Sequence, residues 1–171
     1  MCIIFDLDQT LIDSSIAEAL RTQRNWSAVK KLIPEFTIYD GIRDVLQFIE
    51  DNNIRMCIVT SSISNYCNSV LSHWGINSEF QVCYHDTNSR KPDPEPILTA
   101  IQRFGCENTQ ILSVGDRNID IIASNSANVS SVACLWGSQN DEALLAANPT
   151  YTAETPDELI EIIRVFYRIE D

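Results

Sequence analysis

Two carboxylates stand two residues apart near the start of the chain, in Ile3-Ile4-Phe5-Asp6-Leu7-Asp8-Gln9-Thr10. The run before them is apolar and reads as a strand over 2–6. A strand sends residues i and i+2 to the same side, so Asp6 and Asp8 share a direction. Two acids placed together repel each other and need a counter-cation. Mg²⁺ is the expected ion, since it takes oxygen ligands and bridges to phosphate. Two further polar groups end apolar runs downstream, Thr60-Ser61-Ser62 and Gly115-Asp116 with Asp120 one helical turn on, and Arg90-Lys91-Pro92 stands between them. Lys91 is one of three lysines in the chain, and it precedes a helix start, where the helix dipole disfavours a cation. That placement speaks for chemistry. Acids around one metal, a hydroxyl and an ammonium make up a set suited to phosphoryl transfer.

These residues can meet only if the elements carrying them run side by side. Apolar runs at 2–6, 54–59, 80–84, 110–114 and 129–135 read as strands, with a further one at 151–153. Between them lie helical patterns. One opens at Ser15-Ile16-Ala17-Glu18 as a capping box and runs to about Arg24; a second piece covers 28–33 and stops at Pro34. Asp40 is placed to cap a helix with Ile42, Val45, Leu46 and Ile49 on one face. Others cover 64–74 up to Gly75, a run opened by Asp93 with Pro94 and Pro96 and closed at Gly105, 117–128 with Ile119, Ile122 and Ala123 inward, and 139–147. A last helix opens at the capping box Thr155-Pro156-Asp157-Glu158 and buries Leu159, Ile162, Ile163 and Phe166. Strands that are apolar throughout and alternate with helices indicate an α/β, Rossmann-like three-layer sandwich with a mainly parallel sheet. In such sheets ligands sit at the C-terminal strand ends, where the polar residues collect.

The chain of 171 residues reads as a single domain, 1–171, with a small helical insert at 14–39. The net charge of −12 argues against nucleic acid and against an anionic membrane surface as partners. An anionic substrate must then be drawn in locally, by a metal or by a few placed cations. The six cysteines form no CxxC pair and several lie in apolar runs, which reads as buried reduced thiols. No apolar run reaches the length of a membrane span or a signal segment, so a soluble, cytoplasmic protein is expected.

Taken in order, Asp6-Leu7-Asp8-Gln9-Thr10, Thr60 after its apolar strand, Lys91 in Arg90-Lys91-Pro92-Asp93-Pro94, and Gly115-Asp116-Arg117-Asn118-Ile119-Asp120 resemble the four motifs of the haloacid dehalogenase-like hydrolase superfamily. The resemblance implies a Mg²⁺-dependent phosphatase acting on a phosphomonoester. Asp6 is then the nucleophile and a metal ligand. Asp8 is the general acid and base, with its backbone carbonyl on the metal. Thr60 and the amide of Ser61 bind phosphoryl oxygens. Lys91 neutralises charge, Asp116 ligates the metal, and Asp120 steadies the metal site through water or through Lys91. An acid at position 8 points to a phosphatase rather than a dehalogenase.

Two departures stand out. Gln9 occupies a place where relatives often have glycine, which removes local flexibility. The insert at 14–39 is far shorter than the helical cap of many relatives. A phosphorylated small molecule is the expected substrate. The short cap also leaves room for a phosphorylated macromolecule, or for a second subunit of a homo-oligomer covering the site. Rival readings are a phosphotransferase or mutase of the same superfamily, disfavoured because a stub excludes water poorly, and a phospho-accepting receiver or regulatory module, whose phosphorylated acid would lie on a later strand. Arg90, Arg117, Asn118 and His85 are candidates for substrate contact with loop or structural roles as the alternative. His73 reads as helix surface, and Trp26, Phe36 and Tyr39 as packing of the insert.

Overall fold

β1 (Cys2–Phe5) is buried along its whole length, and its side chains alternate between two cores. Ile3 and Phe5 enter one apolar cluster; Cys2 and Ile4 enter the other. Only a strand covered on both faces does this, and β1 accordingly lies inside the sheet. The computed structural model describes residues 1–170; the final residue of the expected domain, Asp171, lies outside the described residues.

After β1 the chain makes a tight turn into β2 (Ile12–Asp13), passes through the stub helices α1 (Glu18–Thr22) and α2 (Trp26–Leu32), and returns along β3 (Thr37–Ile38), which pairs antiparallel with β2. Then follow α3 (Ile42–Asp51), β4 (Arg55–Val59), α4 (Ser64–Trp74), β5 (Phe80–Val82), α5 (Glu95–Phe104), β6 (Ile111–Gly115), α6 (Asn118–Ser126), β7 (Ser130–Cys134), α7 (Asp141–Ala146), β8 (Tyr151–Ala153) and α8 (Pro156–Tyr167). The six long-range strands form one sheet in the order β5-β4-β1-β6-β7-β8, and every pairing is parallel. The α/β architecture expected from alternating apolar strands and helices is therefore present. β1 sits between β4 and β6, so the three strands that carry acids, hydroxyl and lysine contacts end side by side.

Local details depart from the sequence reading where side chains are recruited elsewhere. No capping box forms at Ser15. The Ser15 N–H donates to Asp13 Oδ1 at 3.0 Å, and the segment opens with a 3₁₀ turn over Ser15–Ala17. α3 begins after Gly41 in the left-handed region, and Asp40 does not cap it. On α6 the inward apolar residues are Ile121 and Ala123, while Ile122 is exposed. The phase is set by Asp120 and Ser124, one turn apart on the buried face; Ser124 Oγ donates to Ser113 Oγ at 2.8 Å. The cap at α8 does form: the Glu158 N–H donates to Thr155 Oγ1 at 3.3 Å. At α5 the Glu95 N–H donates to Asp93 Oδ1 at 2.8 Å. The six cysteines are free, five of them buried. Among the described residues no helix is long and apolar enough to cross a membrane.

Candidate active site

The loops leaving β1, β4 and β6, the segment before α5 and the first turn of α6 bring Asp6, Thr60, Asp116, Lys91 and Asp120 around one cavity. Lys91 is buried, and its ammonium uses all three donors: to Asp6 Oδ1 at 2.6 Å, to Asp120 Oδ1 at 2.5 Å and to the Val59 carbonyl at 2.9 Å. Burial opposes that charge, but Asp120 and Asp6 more than offset it and raise the Lys91 pKa. One carboxylate oxygen from each of Asp6, Asp116 and Asp120 lies within 4.8 Å of the other two. Thr10 Oγ1 donates to Asp116 Oδ1 at 2.8 Å.

The electrostatics of this cluster are unfavourable for the chain alone. Burial, with Asp120 and Asp8 adding to it against the pull of Lys91, pushes the Asp6 carboxyl up to about 7. Burial and the charges of Asp6 and Asp120 push Asp116 up to about 8. With all three acids ionised, they and the one ammonium would leave two negative charges in a buried space. A divalent cation removes that excess, and hard carboxylate oxygens suit Mg²⁺. The residues therefore fit the metal that the motifs imply.

Two glycines make the geometry possible by close approach. A Cβ on Gly115 would lie 2.4 Å from the Asp120 Cβ, so only glycine lets Asp120 fold back over β6. A Cβ on Gly137 would lie 1.6 Å from the Gln9 carbonyl oxygen. Gln9 itself sits at φ +67, the left-handed region where glycine costs nothing and other residues about 1–2 kcal/mol. The turn holds it there: its N–H donates to the Ile12 carbonyl at 2.8 Å, and Tyr39 Oη donates to Gln9 Oε1 at 2.9 Å.

Asp8 does not join the three clustered acids with its side chain. Its carboxylate accepts hydrogen bonds from Ser14 and Tyr66 on Oδ1, each at 2.6 Å, and from Ser62 on Oδ2 at 3.0 Å, and it pairs with Arg21. Thr60 lies at the β4 end, buried, and its Oγ1 accepts the Ser62 N–H at 3.1 Å. Ser61 is exposed beside it. A cavity of about 720 Å³ opens over these groups. His85, Arg117 and Asn118 line it, whereas Arg90 is turned aside and stacks on the Tyr84 ring at 4.0 Å. His73 is exposed in the last turn of α4 and does not line the cavity. Phe36 is buried, Tyr39 holds Gln9, and Trp26 packs on Tyr66 at 5.6 Å while also facing the cavity.

The sequence reading missed the groups that surround Asp8. Ser62 lies two residues after Thr60 in a run of hydroxyls, a weak signal that was there to use. Ser14 follows an acidic turn. Tyr66 and Arg21 carried none: the first reads as a core aromatic on α4 and the second as the polar face of a short helix.

Residues 15–134 match the family model of the haloacid dehalogenase-like hydrolases. Among curated proteins, a pyrophosphatase PpaX from Oceanobacillus iheyensis is 27% identical over 154 residues, covering 89% of this chain and 72% of its own length. A phosphoglycolate phosphatase from Xanthomonas campestris is 32% identical over 150 residues, covering 79% of this chain and 68% of its own. Across five such pyrophosphatases that it matches, the chain spans 60–72% of their length. A solved hydrolase from Pseudomonas syringae superposes with a TM-score of 0.81 at 22% identity, covering both chains completely, which speaks for the fold alone.

Proposed function

The chain belongs to the haloacid dehalogenase-like hydrolases, and from that premise we propose that it is a Mg²⁺-dependent phosphatase that hydrolyses a small phosphomonoester through an aspartyl-phosphate on Asp6. The observation that carries this reading is the convergence of Asp6, Asp116, Asp120 and Lys91 at the C-terminal end of the central strand, with a second acid, Asp8, two residues from the first. The relatives named as phosphatases and pyrophosphatases support a phosphate-containing substrate.

Asp6, Asp116 and Asp120, with the backbone carbonyl of Asp8, are the groups that would hold the metal. When bound, Mg²⁺ supplies positive charge to the phosphoryl oxygens and to the Asp6 carboxylate. In the first step an Asp6 oxygen attacks phosphorus and the ester P–O bond breaks. Asp8 gives its proton to the departing oxygen. In the second step water attacks phosphorus, its proton passes to Asp8, and the acyl-phosphate bond breaks to release phosphate. Lys91, fixed by three acceptors, faces the growing negative charge without having to reorganise. Thr60 and the Ser61 amide orient the phosphoryl group. The domain is read as 1–171, with the stub at 14–39 leaving the mouth open to water, which favours hydrolysis over transfer to a second substrate. Five buried free cysteines fit a reducing, cytoplasmic setting.

The test is hydrolysis of para-nitrophenyl phosphate with and without Mg²⁺ by the wild type and Asp6→Asn. Metal-dependent turnover that vanishes in the variant supports the assignment. Turnover that survives Asp6→Asn removes it.

A further inference from the structure

Asp8 is held by more than its role in the motif requires. Ser14 and Tyr66 donate to Oδ1, each at 2.6 Å, Arg21 Nη1 pairs with the same oxygen, and Ser62 donates to Oδ2 at 3.0 Å. The nitrogen of Arg21 that reaches Asp8 also donates to Ser14 Oγ at 2.7 Å, which closes the ring of donors. These groups come from separate parts of the chain. Ser14 follows β2, Arg21 lies on stub helix α1, and Ser62 and Tyr66 belong to the segment after β4. Ser14 and Tyr66 are fully buried, so water does not compete for those contacts.

A side chain that must deliver a proton along one line cannot rotate freely. Misplacement by about 1 Å can cost a hundredfold in rate. The clamp removes that freedom and distinguishes the two oxygens. Oδ1 is filled by three donors. Oδ2 has one, a serine hydroxyl that can turn and accept instead, so Oδ2 is the oxygen left to exchange a proton with the substrate. Tyr66 is fully buried, and its hydroxyl has the Asp8 carboxylate as acceptor at 2.6 Å. The ring is fixed in turn by Trp26 at 5.6 Å and Phe36 at 6.5 Å, both from the stub.

We propose that Tyr66 and Arg21 are positioning residues for proton transfer by Asp8, and that the stub at 14–39 serves the reaction by holding this acid rather than by sealing the cavity. The inference rests on the phosphatase reading above.

The test compares kcat/KM on two esters with Mg²⁺ present, for the wild type, Tyr66→Phe, Arg21→Met and Arg21→Lys. p-Nitrophenolate leaves without a proton; the alkoxide of β-glycerol phosphate does not. Because kcat/KM reports steps through the first phosphoryl transfer, a misplaced acid shows there only with the alkyl ester. General acid catalysis contributes about 10²–10⁴-fold, and loss of its alignment is expected to lower the alkyl value by about ten- to a hundredfold. The aryl value stays within about threefold, which also certifies that each variant is folded and binds phosphate. Arg21→Lys keeps the charge beside Asp8 and is expected to lie between wild type and Arg21→Met. Equal losses on both esters, or no loss on either, overturn the inference while an active wild type leaves the phosphatase reading standing. A wild type inactive on both esters removes the two together.

Discussion

Lys91→Met isolates the electrostatics of the buried acids. Methionine nearly matches the lysine stem in size, so packing is retained and the ammonium is lost. Its three acceptors, at 2.5–2.9 Å, then lose their donor, and Asp6 and Asp120 face each other uncompensated. Removing one partner of a buried ion pair costs about 3–5 kcal/mol. The acids can escape part of that by taking up protons. Even with Lys91 present, burial holds Asp6 near 7 and Asp116 near 8 in the metal-free chain, well above an unfolded value close to 4. The folded chain therefore binds more protons than the unfolded one between pH 4 and 8. Stability from these groups is fully present at low pH and falls as pH rises, by up to about 1.4 kcal/mol per proton per pH unit. Lys91 lowers both pKa values, so its removal carries the decline to higher pH. The expected loss is about 1 kcal/mol at pH 5, where Asp6 and Asp116 are protonated, and about 3–5 kcal/mol at pH 8. Urea unfolding in EDTA at the two pH values, for wild type and variant, measures it. A loss that is equal at both pH values, or larger at pH 5, would refute the reasoning.

Gly115→Ala forces a Cβ to 2.4 Å from the Asp120 Cβ, so Asp120 must move. The expected result is about 1–3 kcal/mol of lost stability and a weaker apparent affinity for Mg²⁺, read by thermal melts and by titration of turnover against metal. Gly137→Ala meets backbone rather than a flexible side chain, the Gln9 carbonyl at 1.6 Å, and should perturb the turn that carries Asp8; a crystal structure or kcat unchanged from wild type counts against that account. Saturating Mg²⁺ at a hundred times its Kd should stabilise the wild type by about 2.7 kcal/mol and flatten the decline in stability between pH 5 and 8, as followed by denaturant titration. Thr155→Ala removes the α8 cap remote from the cavity, so about 1 kcal/mol of stability is expected to go with turnover intact.

The acids, the hydroxyl and the lysine were legible in the sequence because their chemistry demands particular residue types at strand ends, and the apolar strands announced where those ends are. The family motifs made the same residues legible a second time. What surrounds Asp8 was hidden for a physical reason. Tyr66 has neighbours Cys67 and Val70 in the core, so its spacing matches an ordinary buried helix face, and nothing in that pattern reveals a hydroxyl reaching Asp8. Ser15 and Glu18 have capping-box spacing, yet the nearby Asp13 carboxylate takes the Ser15 N–H and the box does not form. Ile122 has the right spacing to face inward, but α6 is rotated so that Asp120 reaches Lys91, and that turns Ile122 toward solvent. At Ile122 the local pattern was overruled by a polar group needed at the cavity, and at Ser15 by a neighbouring carboxylate.

The central place of β1 has a further consequence, for the order in which the protein is made. Cys2 on β1 pairs with Arg55 on β4 and with Ile111 on β6, so its neighbours are separated from it by 53 and 109 residues. During synthesis Asp6 and Asp8 emerge first, and the partners that neutralise or anchor them come later: Ser62 and Tyr66, then Lys91, then Asp116 and Asp120. Pairings this distant in sequence close slowly, because the loop entropy must be met before the contacts form. The cluster of acids that would hold the metal is therefore complete only when β6 has docked beside β1. The metal binding proposed for this cluster would then report the finished topology, and a ribosome-bound fragment ending before residue 111, which lacks Asp116 and Asp120, should show none of it.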